Sequence, residues 1–155
     1  MSRKPDADAA TVPRGCTNLK LRQLTREVTR HYDAYLGAAG LKITQYSLLS
    51  HVVRLGPIQP SALAAHLKLD ASTLTRNLQP LQAQAWIEIG AGADARSRVV
   101  TATAAGRDKR TEGQRAWKQA QLALNARLGE SRVAALHVLL DECLEALAPD
   151  AEEGA

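Results

Sequence analysis

Phenylalanine is absent from this chain, aromatic residues make up only 3% of it, and there are just two cysteines and one methionine. A β-sandwich would want β-branched and aromatic residues in quantity, so the composition disfavours that architecture. Alanine and leucine supply most of the apolar content, and they favour packed helices. Cys16 and Cys143 are too few for a disulfide scaffold and lack metal-site spacing. His31, His51, His66 and His137 show no metal-pair spacing either, so neither a metal nor a cofactor is expected. There is no nucleophile elbow, no phosphate-cradling glycine loop and no paired cysteines, which argues against an enzyme. No apolar run approaches the length of a membrane span, and no apolar stretch follows Arg3 and Lys4 as it would in a signal peptide. A cytoplasmic protein is expected.

What is present is enough to fold. The chain has 155 residues, 45% of them hydrophobic, which suits one domain with a real core. Its net charge of +4 hides an asymmetry. Asp141, Glu142, Glu145, Asp150, Glu152 and Glu153 crowd the last fifteen residues, which carry no Lys or Arg. Residues 1–140 then hold 20 basic residues against 10 acidic ones. A basic body with an acidic tail points to a polyanionic partner, and nucleic acid is the commonest.

Residues 1–15 (MSRKPDADAATVPRG) read as a flexible tail. From Cys16 to about Ala39, Leu21, Leu24, Val28, Tyr32, Tyr35 and Leu36 recur at helical spacing, and Gly37-Ala38-Ala39-Gly40 closes that helix. Thr44 is positioned to N-cap a second helix over 45–55, ended by Gly56-Pro57. Pro60 opens a short third helix, and Asp70 opens a fourth almost at once. Strands at 86–89 and 98–102 around a glycine-rich tip give a β-hairpin. Helix-turn-helix followed by such a hairpin is a winged helix. Thr103 then caps a helix over about 104–128, which Gly113 weakens. A last helix begins near Ser131 and carries Val133, Leu136, Leu139, Leu140, Cys143, Leu144 and Leu147 as an apolar stripe, with Cys143 read as a small core residue. Pro149 ends it and an acidic tail, 149–155, follows. The terminal helices fit poorly around a winged-helix lobe with its own core, so their stripes want a second copy of the chain.

The fourth helix, DASTLTRNLQPL, is unusual. Leu74, Leu78 and Leu81 have helical spacing, but the intervening face carries Ser72, Thr73, Thr75, Arg76 and Asn77, and Pro80 sits well inside. Proline removes the amide that would bond the Arg76 carbonyl. It is expected to bend the helix and set the angle of 72–77 without ending it.

Roughly residues 16–148 resemble the multiple-antibiotic-resistance-regulator (MarR) family of winged helix-turn-helix transcriptional regulators. The resemblance rests on Gly40-Leu41-x-x-Thr44-Gln45-Tyr46-Ser47-Leu48-Leu49 and on Leu63-Ala64-x-x-Leu67-x-Leu69-Asp70-x-Ser72-Thr73-Leu74-Thr75-Arg76. Asp94-Ala95-Arg96-Ser97-Arg98 and Thr101-x-Thr103-x-x-Gly106 complete it. It implies a mainly α fold with a small β-hairpin wing: a winged-helix lobe over 44–103 and a dimerisation lobe of long helices, 16–39 and 104–148. It also implies a homodimer, operator DNA as partner, and often a small ligand that releases the DNA.

On that reading the fourth helix enters the major groove. Ser72, Thr73 and Thr75 are short enough to let the backbone approach, Arg76 suits guanine or a phosphate, and Asn77 suits adenine. In the wing, Asp94 would hold the Arg96 guanidinium extended into the minor groove, with Arg98 nearer phosphate. Ser61, with Gln59 and Lys68, adds candidate phosphate contacts. The resemblance places an effector pocket near the first, second and fifth helices, where His31, Tyr35, Tyr46, His51, Arg54 and Trp117 would suit an aromatic acid. Cys16, near Arg14 and Lys20 at a helix start, has features of a reactive thiol. Peroxide-sensing members of the family carry a cysteine in a comparable place, but their supporting tyrosines have no counterpart in Thr17-Asn18-Leu19-Lys20-Leu21-Arg22. The sequence thus supports a homodimeric, ligand-released repressor acting on the bacterial nucleoid. A redox-sensing repressor through Cys16, or a winged-helix protein-interaction module without DNA binding, stands as the alternative.

Overall fold

A computed structural model describes residues 12–94 and 96–149. Residues 1–11 of the expected 1–15 tail and 150–155 of the expected 149–155 tail lie outside them. Six helices and one hairpin follow in the order α1 (Thr17–Leu36), α2 (Ile43–Leu55), α3 (Pro60–Leu67), α4 (Ala71–Ala83), β1 (Ile87–Ala91), β2 (Arg98–Ala102), α5 (Ala104–Leu128) and α6 (Glu130–Ala146). This is the mainly α, winged helix-turn-helix class expected from the residues.

Several boundaries differ from the sequence reading, each for a local reason. The first α-helix stops at Leu36, and Gly37–Ala39 form a tighter 3-10 turn closed by Gly40 at φ 67°, a left-handed conformation suited to glycine. Thr44 does not cap α2. Lys42 occupies the N-cap, its amide donates to Gln45 Oε1 at 3.0 Å, and the Ile43 amide donates to Asp33 Oδ1 at 2.7 Å. Asp33 thereby ties the end of α1 to the start of α2. The first strand begins at Ile87 and not Trp86, and α6 begins at Glu130, before Ser131.

The hairpin pairs Ile87 with Ala102, Ile89 with Val100 and Ala91 with Arg98. Ile58 adds a bridge to Val100, with N–O distances of 3.1 and 2.8 Å. Ile87, Val100 and Ala102 turn inward onto Leu48, Leu49, Val52, Leu63, Leu74, Leu78 and Leu81, forming one hydrophobic core. A second cluster joins Tyr32, Leu36, Ala39, Leu41, Tyr46 and Ala120 from α1, the turn and loop after it, α2 and α5. Trp86 borders both clusters, and the Lys109 ammonium lies 5.7 Å from its ring centroid while donating to the Ala39 carbonyl at 3.1 Å.

Gly113 is not simply a weak point in α5. It is buried, and a Cβ there would stand 2.7 Å from Leu41 Cδ1 and 2.8 Å from Tyr46 Cδ2. The helix sacrifices propensity so that α2 can approach. Cys143 also corrects the sequence reading: it is exposed, as are Leu139, Leu144 and Leu147, so that of the α6 stripe only Val133 is buried and Leu136 and Leu140 half-buried among the described residues. Leu19, Leu21 and Leu24 on α1 are exposed too. Together the outer parts of α1, α5 and α6 present apolar side chains that no other described residue covers.

Candidate nucleic-acid interface

The helix-turn-helix is built from short-range signals. Pro60 sits in the first turn of α3, where its missing amide costs nothing, and Lys68 ends the helix in the left-handed region at φ 52°. Asp70 then caps α4. Its carboxylate accepts from the Ser72 hydroxyl at 2.6 Å, the Thr73 hydroxyl at 2.7 Å and the Thr73 amide at 2.7 Å. These bonds favour the ionised form and hold the Asp70 carboxyl well below the usual carboxylate range, the Ser72 and Thr73 hydroxyls leading.

A carboxyl depressed in the folded state contributes stability above its unfolded value of about 4, and loses it as pH falls through the folded value. Below about pH 4 the first turn of α4 is therefore expected to loosen before the rest of the lobe. The same change should follow Asp70→Ala at neutral pH, with amide exchange at Thr73 accelerated several-fold, as for other lost N-caps. Unchanged Thr73 exchange in Asp70→Ala would remove Asp70 from this role.

Leu74, Leu78 and Leu81 anchor α4 in the core. Ser72, Thr75, Arg76 and Asn77 are exposed, and Thr73 is half-buried. Pro80 lies inside the helix, which continues through it to Ala83, so the proline does not end α4. The Thr75 hydroxyl donates to the Ala71 carbonyl at 2.8 Å, and the Ser72 and Thr73 hydroxyls are committed to Asp70. All three keep acceptor lone pairs. Among the described residues, ion pairs join only Arg30 to Glu27 and Lys109 to Glu112, so no carboxylate neutralises Arg76, Arg96 or Arg98. Asn77 also lines a groove of about 370 Å³ with Thr44, Ser47 and Leu69, on the side of α4 toward α2.

The wing departs from the expected device. Asp94 Oδ1 accepts from the Arg96 backbone amide at 3.3 Å, and no Asp94–Arg96 ion pair forms. The carboxylate therefore shapes the turn instead of holding the guanidinium. The Ser97 amide and hydroxyl both donate to the Asp94 carbonyl at 2.9 Å, and the Gly92 amide closes on the Ser97 carbonyl at 2.8 Å. Arg96 and Arg98 are exposed, Arg98 opposite Ala91 at the start of β2. Ser61 is exposed in the first turn of α3, and Gln59 and Lys68 are exposed at its two ends.

The six residues expected to form an aromatic-acid pocket are not brought together. Tyr46 is buried and stacks on Trp117 with ring centroids 6.1 Å apart, both serving the core between α2 and α5. His31 bonds the Ala120 carbonyl at 2.8 Å and packs on Tyr35 at 5.2 Å. His51 and Arg54 lie apart from these, in a cleft with Ser50, Val53 and Arg110. The rings fill space between helices, and the cationic end of the expected box stands alone. Cys16 is exposed at the N-cap of α1 and makes no side-chain capping bond. No three His, Cys, Asp or Glu side chains gather as a metal site, and no helix is long and apolar enough to cross a membrane, among the described residues.

This geometry has close counterparts. A family model described as MarR family matches residues 39–97, the segment from the end of α1 to the wing. The crystal structure of the M. tuberculosis transcriptional regulator MosR in complex with DNA is 30% identical, with a TM-score of 0.73 over 87% of this chain and 100% of that one. The chain belongs to the MarR family. This MarR-family chain also shares its fold with a mutant MarR from E. coli complexed with operator DNA, at 24% identity and a TM-score of 0.73 over 82% and 92% of the two chains. A HTH-type transcriptional regulator of Bacillus subtilis (strain 168), YwoH, is 26% identical over 84 residues, 54% of this chain. The chain spans 61% of the length of that relative. The protein is a winged helix-turn-helix transcriptional regulator of the MarR family.

Proposed function

We propose that this regulator is a homodimeric repressor that binds a pseudo-palindromic operator and is released by a small ligand. The observation that carries the DNA reading is the outward face of α4, where Arg76 stands among short hydroxyls with no carboxylate partner among the described residues. Arg96 and Arg98 on the hairpin add uncompensated positive charge suited to phosphate and the minor groove. MosR and MarR were crystallised with DNA, which supports the same partner here. The division into a 44–103 reading lobe and dimerisation helices 16–39 and 104–148 belongs to this reading, as do a cytoplasmic location on the nucleoid and the absence of catalysis.

The dimer rests on the uncovered apolar face. Leu21, Leu24, Leu128, Val133, Leu136 and Leu140 line a groove of about 260 Å³ between α1, α5 and α6, and Leu139 and Leu144 are 58% and 49% exposed beyond it. A second copy is the economical cover, because a twofold axis would set two α4 helices about one DNA turn, ~34 Å, apart. Sedimentation equilibrium tests it. The wild type is expected to be a dimer at micromolar concentration. Leu139→Glu with Leu144→Glu should raise the dimer dissociation constant at least ~100-fold, since each charge is desolvated unpaired. Both side chains are exposed in the single chain, so the fold should survive. A monomeric wild type, or a variant dimer of equal strength, would refute the assembly.

A further inference from the structure

We propose that Asp33 is a specificity-determining residue of operator recognition: its bond to the first amide of α2 fixes the tilt of α1, and thereby the half-site spacing that the molecule accepts. The inference rests on the proposed dimer and deepens it. Two hydrophobic cores meet in α2. Leu48, Leu49 and Val52 belong to the one beneath α4 and the hairpin, and Tyr46 belongs to the one shared with α1 and α5. On α1, Leu21 and Leu24 line the groove assigned to the second copy. The angle between α1 and α2 therefore sets where a twofold partner places its own α4.

Apolar packing is non-directional, so the burial of Leu36 and Leu41 fixes how closely α1 approaches but only loosely its tilt. Three consecutive residues of α1 supply direction. His31 Nε2 donates to the Ala120 carbonyl at 2.8 Å, and the Tyr32 hydroxyl donates to Gln121 Oε1, both on α5. Asp33 Oδ1 accepts from the Ile43 amide at 2.7 Å. Successive residues of a helix point about 100° apart, so the three bonds spread over about 200° and lock α1 against rotation about its axis. Asp33 alone turns to α2: among the described residues, no other side-chain hydrogen bond joins α1 to α2.

The cap is borrowed. Lys42 has extended N-cap geometry, φ −102° and ψ 156°, but its ammonium cannot accept from the amides of the first turn. A serine or threonine there would cap α2 without involving α1. Taking the acceptor from α1 makes the helix start and the interhelix angle one feature. The lever is long: Leu21 stands about 18 Å along α1 from Asp33, so a tilt of about 10° moves it about 3 Å, close to one base-pair step of ~3.4 Å.

The test compares wild type, Asp33→Asn, Asp33→Ala and Asp33→Ala with Lys42→Ser on the native promoter site and on duplexes with its half-sites one base pair closer or further apart. Wild type is expected to prefer the native spacing by at least about tenfold. Asp33→Asn keeps an acceptor for the Ile43 amide and should keep that preference. Asp33→Ala should reduce it to about threefold or less and lower Tm. Adding Lys42→Ser should restore Tm, because serine caps from its own position, but not the spacing preference. Full preference in Asp33→Ala, or its recovery with Lys42→Ser, overturns the proposal. The angle is also read without DNA. Spin labels at Arg26→Cys and Gln79→Cys, both exposed in wild type, report the distance from α1 to α4 in a Cys16→Ser, Cys143→Ser chain diluted with unlabelled chain. The distance distribution should broaden with Asp33→Ala, stay broad with Lys42→Ser added, and match wild type with Asp33→Asn. Wild type that binds no duplex refutes the repressor reading whatever the distances. Wild type that binds, with the Asp33→Ala distances unchanged, refutes the role of Asp33 alone.

Discussion

Replacing Gly106 with alanine is expected to destabilise the domain by about 4 kcal/mol or more, in the range reserved for changes the backbone cannot absorb. A Cβ at this position would lie 1.9 Å from the Trp86 carbonyl oxygen and 2.8 Å from its carbon. Both are main-chain atoms, so no rotamer change relieves the clash. The same oxygen accepts from the Thr103 amide at 3.1 Å. The Thr103 hydroxyl accepts from the Gly106 amide at 3.0 Å and donates to the Ala85 carbonyl at 2.7 Å. One clasp therefore fastens the first turn of α5 to the turn that leaves α4, and alanine must break it to fit. For a domain with about 5–15 kcal/mol of stability, the loss is severe, and Tm should fall by roughly 8–16 °C.

Gly37→Ala is the matched control, because nothing lies within 4 Å of its added Cβ and the backbone is already helical. It should be neutral or gain about 0.4–1 kcal/mol through the unfolded state. If Gly106→Ala melted within 3 °C of wild type, the close approach of α5 to Trp86 would be disproved. The clasp also has a functional side. It sets how α4, the hairpin and α5 are joined, so on the proposed reading a folded Gly106→Ala chain should also bind operator poorly.

Thr103 and Asp70 were legible in the sequence because a cap and the amide it serves lie three residues apart. The α4 face was legible for the same reason: Leu74, Leu78 and Leu81 define the buried side, which leaves Ser72, Thr75 and Arg76 outside. Pro80 read correctly as an interior residue because the leucine spacing runs past it. Thr44 misled because the true N-terminus of α2 depends on Asp33, a partner on another helix. Tyr46 and Trp117 misled for a deeper reason. Whether an aromatic residue on a helix lines a pocket or fills a core is decided by which helix faces it, and Gly113 on α5 admits Tyr46. Cys143 follows the apolar period of α6, yet the period shows only that a face wants cover, not that the same chain supplies it.

Arg76→Ala is expected to cost the proposed dimer most of its operator specificity. A bidentate arginine–guanine contact is worth about 1–3 kcal/mol, and a twofold dimer loses two of them, so affinity for the native site should fall by roughly 30-fold to more than 10⁴-fold. Nothing in the fold should change, because the side chain is exposed and unpaired among the described residues, and the helix is held by its leucines and by Asp70. Electrophoretic shifts with the native promoter and a scrambled duplex separate two roles. A base contact loses affinity for the promoter and keeps it for the scrambled duplex; a phosphate clamp loses both and flattens the salt slope. Arg96→Ala should behave differently. The wing turn that positions it is closed by backbone and Asp94 contacts, not by the guanidinium, so the turn persists and only the charge is lost. Its effect should be smaller, and larger on A·T-rich flanks, where a narrow minor groove attracts arginine most strongly. Promoter binding by both variants at wild-type strength would overturn the assignment of α4 and the wing as the DNA-reading surface.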